Sequence, residues 1–163
     1  MSEDSQAAFP FMKFDLLEKI RIELRGNLDR LSKAAFEAHA AATDPGSKAE
    51  GKYDTRSLEA SYLAAGQARQ VDELAQAVRI FETLSLPEFG PADPIDAGAL
   101  VEASLGGEIG FFLLVPVAGG MVLQHEGAEV TLLTPESSLY GKLHGMVAGE
   151  SLEIPPLMVL AVS

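Results

Sequence analysis

The sequence predicts an α+β protein: an N-terminal antiparallel helical hairpin (a coiled coil) followed by a small antiparallel β-sheet domain with one short helix. Three observations carry this. Leu17, Leu24 and Leu31 recur every seven residues, which is a coiled-coil period. Pro87, Pro91 and Pro94 fall within eight residues, a linker composition. Beyond them the helical period gives way to short apolar runs separated by paired glycines, the pattern of strands and turns. The expected boundaries are a hairpin over 1–86, a linker over 87–94 and a sheet domain over 95–163.

The first helix starts near Pro10, since proline is tolerated in a first helical turn. Its seam runs through Leu17, Leu24, Leu31 and Ala38, with Ile20, Ala34 and Ala41 between them and Asn27 as a polar interruption. The side chains shrink toward His39-Ala40-Ala41-Ala42. Asp44-Pro45-Gly46-Ser47 then reverses the chain, because proline cannot continue a helix and glycine supplies a permissive turn position. Helix signal resumes near Lys48 or Lys52, with Asp54 or Thr55 as an alternative N-cap. The returning helix places Leu58, Tyr62, Ala65, Val71, Leu74, Val78 and Phe81 on one face and ends around Leu84 to Pro87. Each helix would run on the order of 45 Å, and no third long amphipathic helix follows, so the hairpin is expected to project.

Past the linker, 99–105 and 108–115 read as two strands joined at Gly106-Gly107. Gly119-Gly120 marks another turn, and 121–124 and 128–133 pair across Gly127. Thr134-Pro135 opens a short helix over 137–143. Strands at 152–154 and 157–162 close the sheet, with a bend at Pro155-Pro156, where no ladder bonds are donated.

There is no cysteine, which excludes disulfides and thiolate metal sites and suits a reducing compartment. The acidic, polar N-terminus lacks a signal-peptide core, and no apolar run reaches a membrane span of about 20 residues. A soluble, cytoplasmic protein is expected. The net charge of −12 is uneven. Residues 1–79 hold 13 acidic and 11 basic residues, whereas from Ile80 onward 11 acidic residues face Lys142 alone. Independent duplex DNA binding is not expected, because phosphate contacts need a basic patch. A protein partner fits better.

His39, His125 and His144 lack helical i, i+4 partners, so a zinc site is not expected. No phosphate-binding or dinucleotide fingerprint occurs, and Ser137-Ser138 reads as a helix N-cap. On the residues alone, Asp44 opens a turn, Glu50 sits on a solvated helix start, Tyr53 and Tyr62 pack within the hairpin, and Arg56 and Arg69 pair on the helix surface.

In this order the elements resemble the Gre family of bacterial transcription elongation factors, GreA and GreB, over about residues 13–163. Lys48-Ala49-Glu50-Gly51-Lys52-Tyr53-Asp54-Thr55 resembles that family's acidic segment ending in Glu-Tyr just after the coiled-coil tip. Thr134-Pro135-Glu136-Ser137-Ser138-Leu139-Tyr140-Gly141-Lys142-Leu143-His144-Gly145, followed by Ala148-Gly149-Glu150, resembles its Ser-Pro-Leu…Gly-Lys-Lys-Val-Gly-Asp signature. The resemblance implies an FKBP-like sheet domain and a role as accessory factor rather than enzyme. The partner would be bacterial RNA polymerase, with the coiled coil inserted in its secondary channel.

Asp44 and Glu50 would then be tip carboxylates lent to a Mg²⁺ shared with the polymerase, and no cofactor would be bound by the chain alone. Carboxylate oxygens suit a hard cation that activates water. The candidate partner contacts are Lys48, Lys52, Tyr53, Asp54 and Arg56 at the tip and Ser137, Leu139 and Lys142 in the sheet domain. The family's two tip acids stand three residues apart. Here the second position falls near Ala49, Glu50 is the nearest carboxylate, and Lys48 and Lys52 oppose a cation. A non-cleaving regulator of the same architecture is therefore an alternative. A third is an FKBP-like peptide-binding module, whose pocket would draw on Phe111, Phe112 and Tyr140.

Overall fold

The computed structural model describes residues 13–43 and 56–163. Two long helices, α1 (Lys13–Thr43) and α2 (Arg56–Thr83), precede six strands and a short third helix. These are β1 (Leu100–Leu105), β2 (Glu108–Leu114), β3 (Val122–His125), β4 (Ala128–Leu133), α3 (Ser138–Leu143), β5 (Ser151–Leu152) and β6 (Leu157–Val162). The chain divides into two compact units. One is Arg21–Thr83; the other joins the described residues up to Ile20 with Leu84–Ser163.

In the hairpin unit, Arg21 and Arg25 of α1 lie beside the end of α2. Arg21 Nε donates to the Phe81 carbonyl at 2.7 Å and Arg25 Nε to Glu82 Oε1 at 2.7 Å. The last turn of α2 has no basic residue of its own, so these guanidiniums supply the positive charge that a helix C-terminus favours. Leu24 and Phe81 are buried, while Leu31, Ala34 and Ala38 are half-buried. Asn27, the polar seam position, accepts a hydrogen bond from Arg30. On α2 the inward positions include Ala64, Gln67, Val71, Leu74, Ala77, Val78 and Phe81. This corrects one expected position: Ala65 is exposed and Ala64 is buried. A strict heptad counted back from Val78 through Val71 reaches Ala64. The side chains of Leu58 and Tyr62 lie outside the described residues, as do the turn at 44–47 and the expected N-cap at Asp54 or Thr55.

In the other unit, the strands form a single sheet in the order β3-β4-β2-β1-β6-β5. Four pairings are antiparallel. The fifth, β2 with β4, is parallel, with Phe111 opposite Val130 and Leu114 opposite Leu133. The β3–β4 hairpin intervenes in sequence and returns β4 in the direction of β2. Gly106 and Gly107, at φ +63° and +89°, make the β1–β2 turn, in the left-handed region that a two-residue hairpin requires. β5 is only two residues long, because Glu153–Pro156 turn into β6.

Alternation sorts side chains onto two faces. Ala99, Val101, Ala103, Leu114, Leu133, Leu157, Val159 and Val162 form one core with Ile95, Leu143 and Met146. The register places Leu100, Leu113 and Leu132 on the opposite face, with Leu123 and Val130, and all five are buried. The start of α1 covers this second face. Leu16, Leu17 and Ile20 are buried there, Lys13 donates to the Ser163 carbonyl at 3.0 Å, and Lys19 donates to the Gln124 carbonyl. No described helix is long and apolar enough to cross a membrane.

Candidate functional site

Asp44, Lys48, Glu50, Lys52, Tyr53 and Asp54 lie outside the described residues, and Arg56 is the first residue of α2, its side chain undescribed. The site that can be built is therefore the turn and helix around Ser137, Leu139 and Lys142, together with the linker segment packed beside it.

The turn after β4 is held locally. Ser137 N–H donates to the Thr134 carbonyl at 2.8 Å. Thr134 is buried, and its hydroxyl donates to Glu136 Oε2 at 2.7 Å. That bond stabilises the ionised carboxylate and lowers the Glu136 pKa. Ser137 occupies the N-cap of α3, as expected, but its hydroxyl makes no cap bond. It acts through its backbone, its carbonyl accepting from Gly141 N–H at 3.3 Å. Ser138 Oγ instead accepts from Lys142 Nζ at 2.7 Å, one helical turn on. Leu139 packs against the core. Of the three sheet-domain candidates, Lys142 thus presents a charged group beside α3, while Leu139 is spent on packing.

The sequence reading missed a second cluster. Ile95 N–H donates to the Met146 carbonyl and Gly145 N–H to the Ile95 carbonyl, each at 2.8 Å. This pairing brings Asp96 to His144, with Nε2 and Oδ1 3.2 Å apart, and the Tyr140 ring stacks on His144 at 6.3 Å. The Ala97 N–H, followed by His144, holds the Asp96 carboxyl below its usual range. Burial, and then the Asp96 charge, push the Tyr140 phenol up. Asp96 and His144 stand 48 positions apart, so no local spacing could have joined them. A concavity of about 420 Å³ opens beside the cluster, lined by Pro87, Phe89, Asp93, Asp96, His144 and Gly145 among others.

Lys13 bounds the same region. Its ammonium donates to the Pro87 carbonyl at 2.5 Å and lies 5.2 Å from the Phe89 ring centroid. Burial lowers its pKa to about 8, against an opposing pull from Glu88. Gly98 fixes the linker from the other side. At φ +90°, a Cβ there would stand 2.6 Å from Pro87 Cδ.

The three sheet-domain aromatics do not converge. Phe112 and Tyr140 pack against the core on the α3 side, whereas Phe111, one residue before Phe112, faces the other side. His39 is exposed on α1, and His125 is buried on β3. Among the described residues no three His, Asp or Glu side chains gather in a way that would hold a metal ion.

No protein-family model matches the chain, and no curated protein matches it. Solved structures do. The chain is similar to the GreA factor homolog 1 (Gfh1) of Thermus thermophilus at 23% identity, covering 92% of this chain and 94% of that one, with a TM-score of 0.35. It is similar to Thermus aquaticus Gfh1 at 20% identity, covering 91% and 92% respectively, with a TM-score of 0.34. At these scores the likeness fixes no activity for the chain.

Proposed function

We propose that the chain is an accessory factor of bacterial RNA polymerase in the cytoplasm, not an enzyme in its own right. The hairpin enters the secondary channel and the sheet unit holds the factor at its mouth. One observation carries this reading. A two-helix hairpin is followed by a sheet unit in which the Thr134–Gly145 signature forms a hydrogen-bonded turn leading into a short helix. That order of elements is the one the sequence resemblance implies. Asp44 and Glu50 would be the residues to hold a Mg²⁺, which would supply an activated water. What the chain itself contributes is the carboxylate oxygens of these two residues. A pull-down with purified polymerase and a cleavage assay on stalled transcription complexes test the reading. Retention on polymerase, with cleavage lost in the Asp44→Ala/Glu50→Ala variant, supports it. Failure to bind polymerase overturns it.

A second reading, a regulator that occupies the channel without cleavage, is favoured by one feature. Ala49 stands near the position where the family has its second acid, and Lys48 and Lys52 flank Glu50. It expects polymerase binding and altered transcript yield with no cleavage products from the unmodified chain.

A further inference from the structure

Among the described residues, the second face of the sheet is covered over only part of its area. Its rows can be followed across three strands by register. Leu100 and Leu113 lie opposite each other and are fully buried. The next row sets Phe111, Glu102 and Ala161 side by side, and all three are half-buried. The last sets Ile109, Ser104 and Met158 side by side. Ile109 is 61% exposed and Met158 45%. Leu160, the extra residue of the irregularity between β1 and β6, is exposed as well. The strip is therefore an apolar surface with one carboxylate at its centre. Glu102 makes no hydrogen bond or ion pair among the described residues, and burial pushes its carboxyl above the usual range. An ionised group held in partly apolar surroundings without a partner is costly, and a cation brought to it removes that cost.

We propose that this strip docks a segment of another protein in which apolar side chains surround a single arginine or lysine. The apolar groups cover Ile109 and Met158, and the cation pairs with Glu102. Charge decides between occupants. From Ile80 onward the sequence has 11 acidic residues and one basic residue, Lys142, which is bonded to Ser138 on α3; Lys13 and Lys19, at the start of α1, are bonded to the Ser163 and Gln124 carbonyls. A second copy docking face to face would bring Glu102 toward its own image, since an isologous contact pairs a patch with itself. A basic, apolar segment meets both the charge and the exposed surface. The inference is independent of the polymerase reading, because neither the tip nor the Thr134–Glu136 turn enters it.

The test is a titration of the ¹⁵N-labelled full chain, followed by amide shifts. The probe is the capped pentapeptide Leu-Val-Arg-Val-Leu, with a matched peptide carrying glutamate in place of arginine. Shifts should gather on Ser104, Ile109, Phe111 and Met158. The arginine peptide should bind roughly tenfold more tightly than the glutamate peptide. Glu102→Gln should remove most of that preference, and Met158→Asp should abolish binding of both peptides while the spectrum stays dispersed. Four outcomes overturn the proposal: shifts centred elsewhere, no shifts with either peptide into the millimolar range, equal binding of the two peptides, or self-association that Met158→Asp disperses.

Discussion

Leu114 on β2 and Leu31 on α1 both sit where periodicity assigns an interior, yet Leu114 is fully buried and Leu31 only half-buried. The difference follows from what stands on each side. Leu114 is enclosed by neighbouring strands within the sheet and by Leu143 and Met146 above it. Leu31 has one partner helix, and a two-helix seam leaves water on both flanks. Toward the tip the seam also grows poorer, from Leu24 and Phe81 to Ala38 and Ala64. The sheet unit is thus a two-faced core, whereas the hairpin relies on a narrow seam whose stability falls along its length.

Substitutions can sharpen or break this contrast. Leu114→Ala should cost about 2–5 kcal/mol by chemical denaturation, the range for a closed core leucine. Gly98→Ala should cost roughly 1–3 kcal/mol, because it places a side chain at positive φ against Pro87. Leu31→Ala should cost less, about 1–2 kcal/mol, since water reaches much of the site. A cost equal to that of Leu114→Ala would mean that the hairpin core is as closed as the sheet core. Gln67 occupies an inward position on α2, and its Oε1 is buried without a hydrogen-bond partner. Gln67→Leu should therefore stabilise the protein by about 1 kcal/mol, and helicity monitored at the same denaturant concentration should rise.

A further effect expected is one of pH. The unfolded chain keeps its Lys13 proton up to about 10.5, whereas the folded chain releases it near 8. Between these values the unfolded state binds more protons, so stability should rise with pH. Denaturation midpoints measured from about 8 to 10 should show a slope that Lys13→Met flattens. Staying below 10 avoids Tyr140, whose raised pKa acts in the opposite sense above that value.

Much of the architecture was legible from local chemistry. The seven-residue period of α1 and the glycine pair between β1 and β2 depend on residues near one another in the chain, and each appears where expected. Errors arose where one step of three or four residues had to be chosen, as at Ala64 and Ala65. The candidate site was legible less evenly. The turn at Thr134 and the helix after it could be read from proline and serine, but the Asp96–His144 contact could not. It depends on Ile95 pairing with Met146 across the fold.

The sequence by itself determined the order of elements, the helical seam and the uneven distribution of charge, because periodicity, turn chemistry and ionisable groups are properties of neighbouring residues. Only the tertiary structure decided that β2 and β4 run parallel, that the start of α1 covers part of the sheet's second face, and that Glu102 stands among apolar neighbours beyond it. Those results depend on which distant strands share an edge, and that is settled by which apolar faces close on one another.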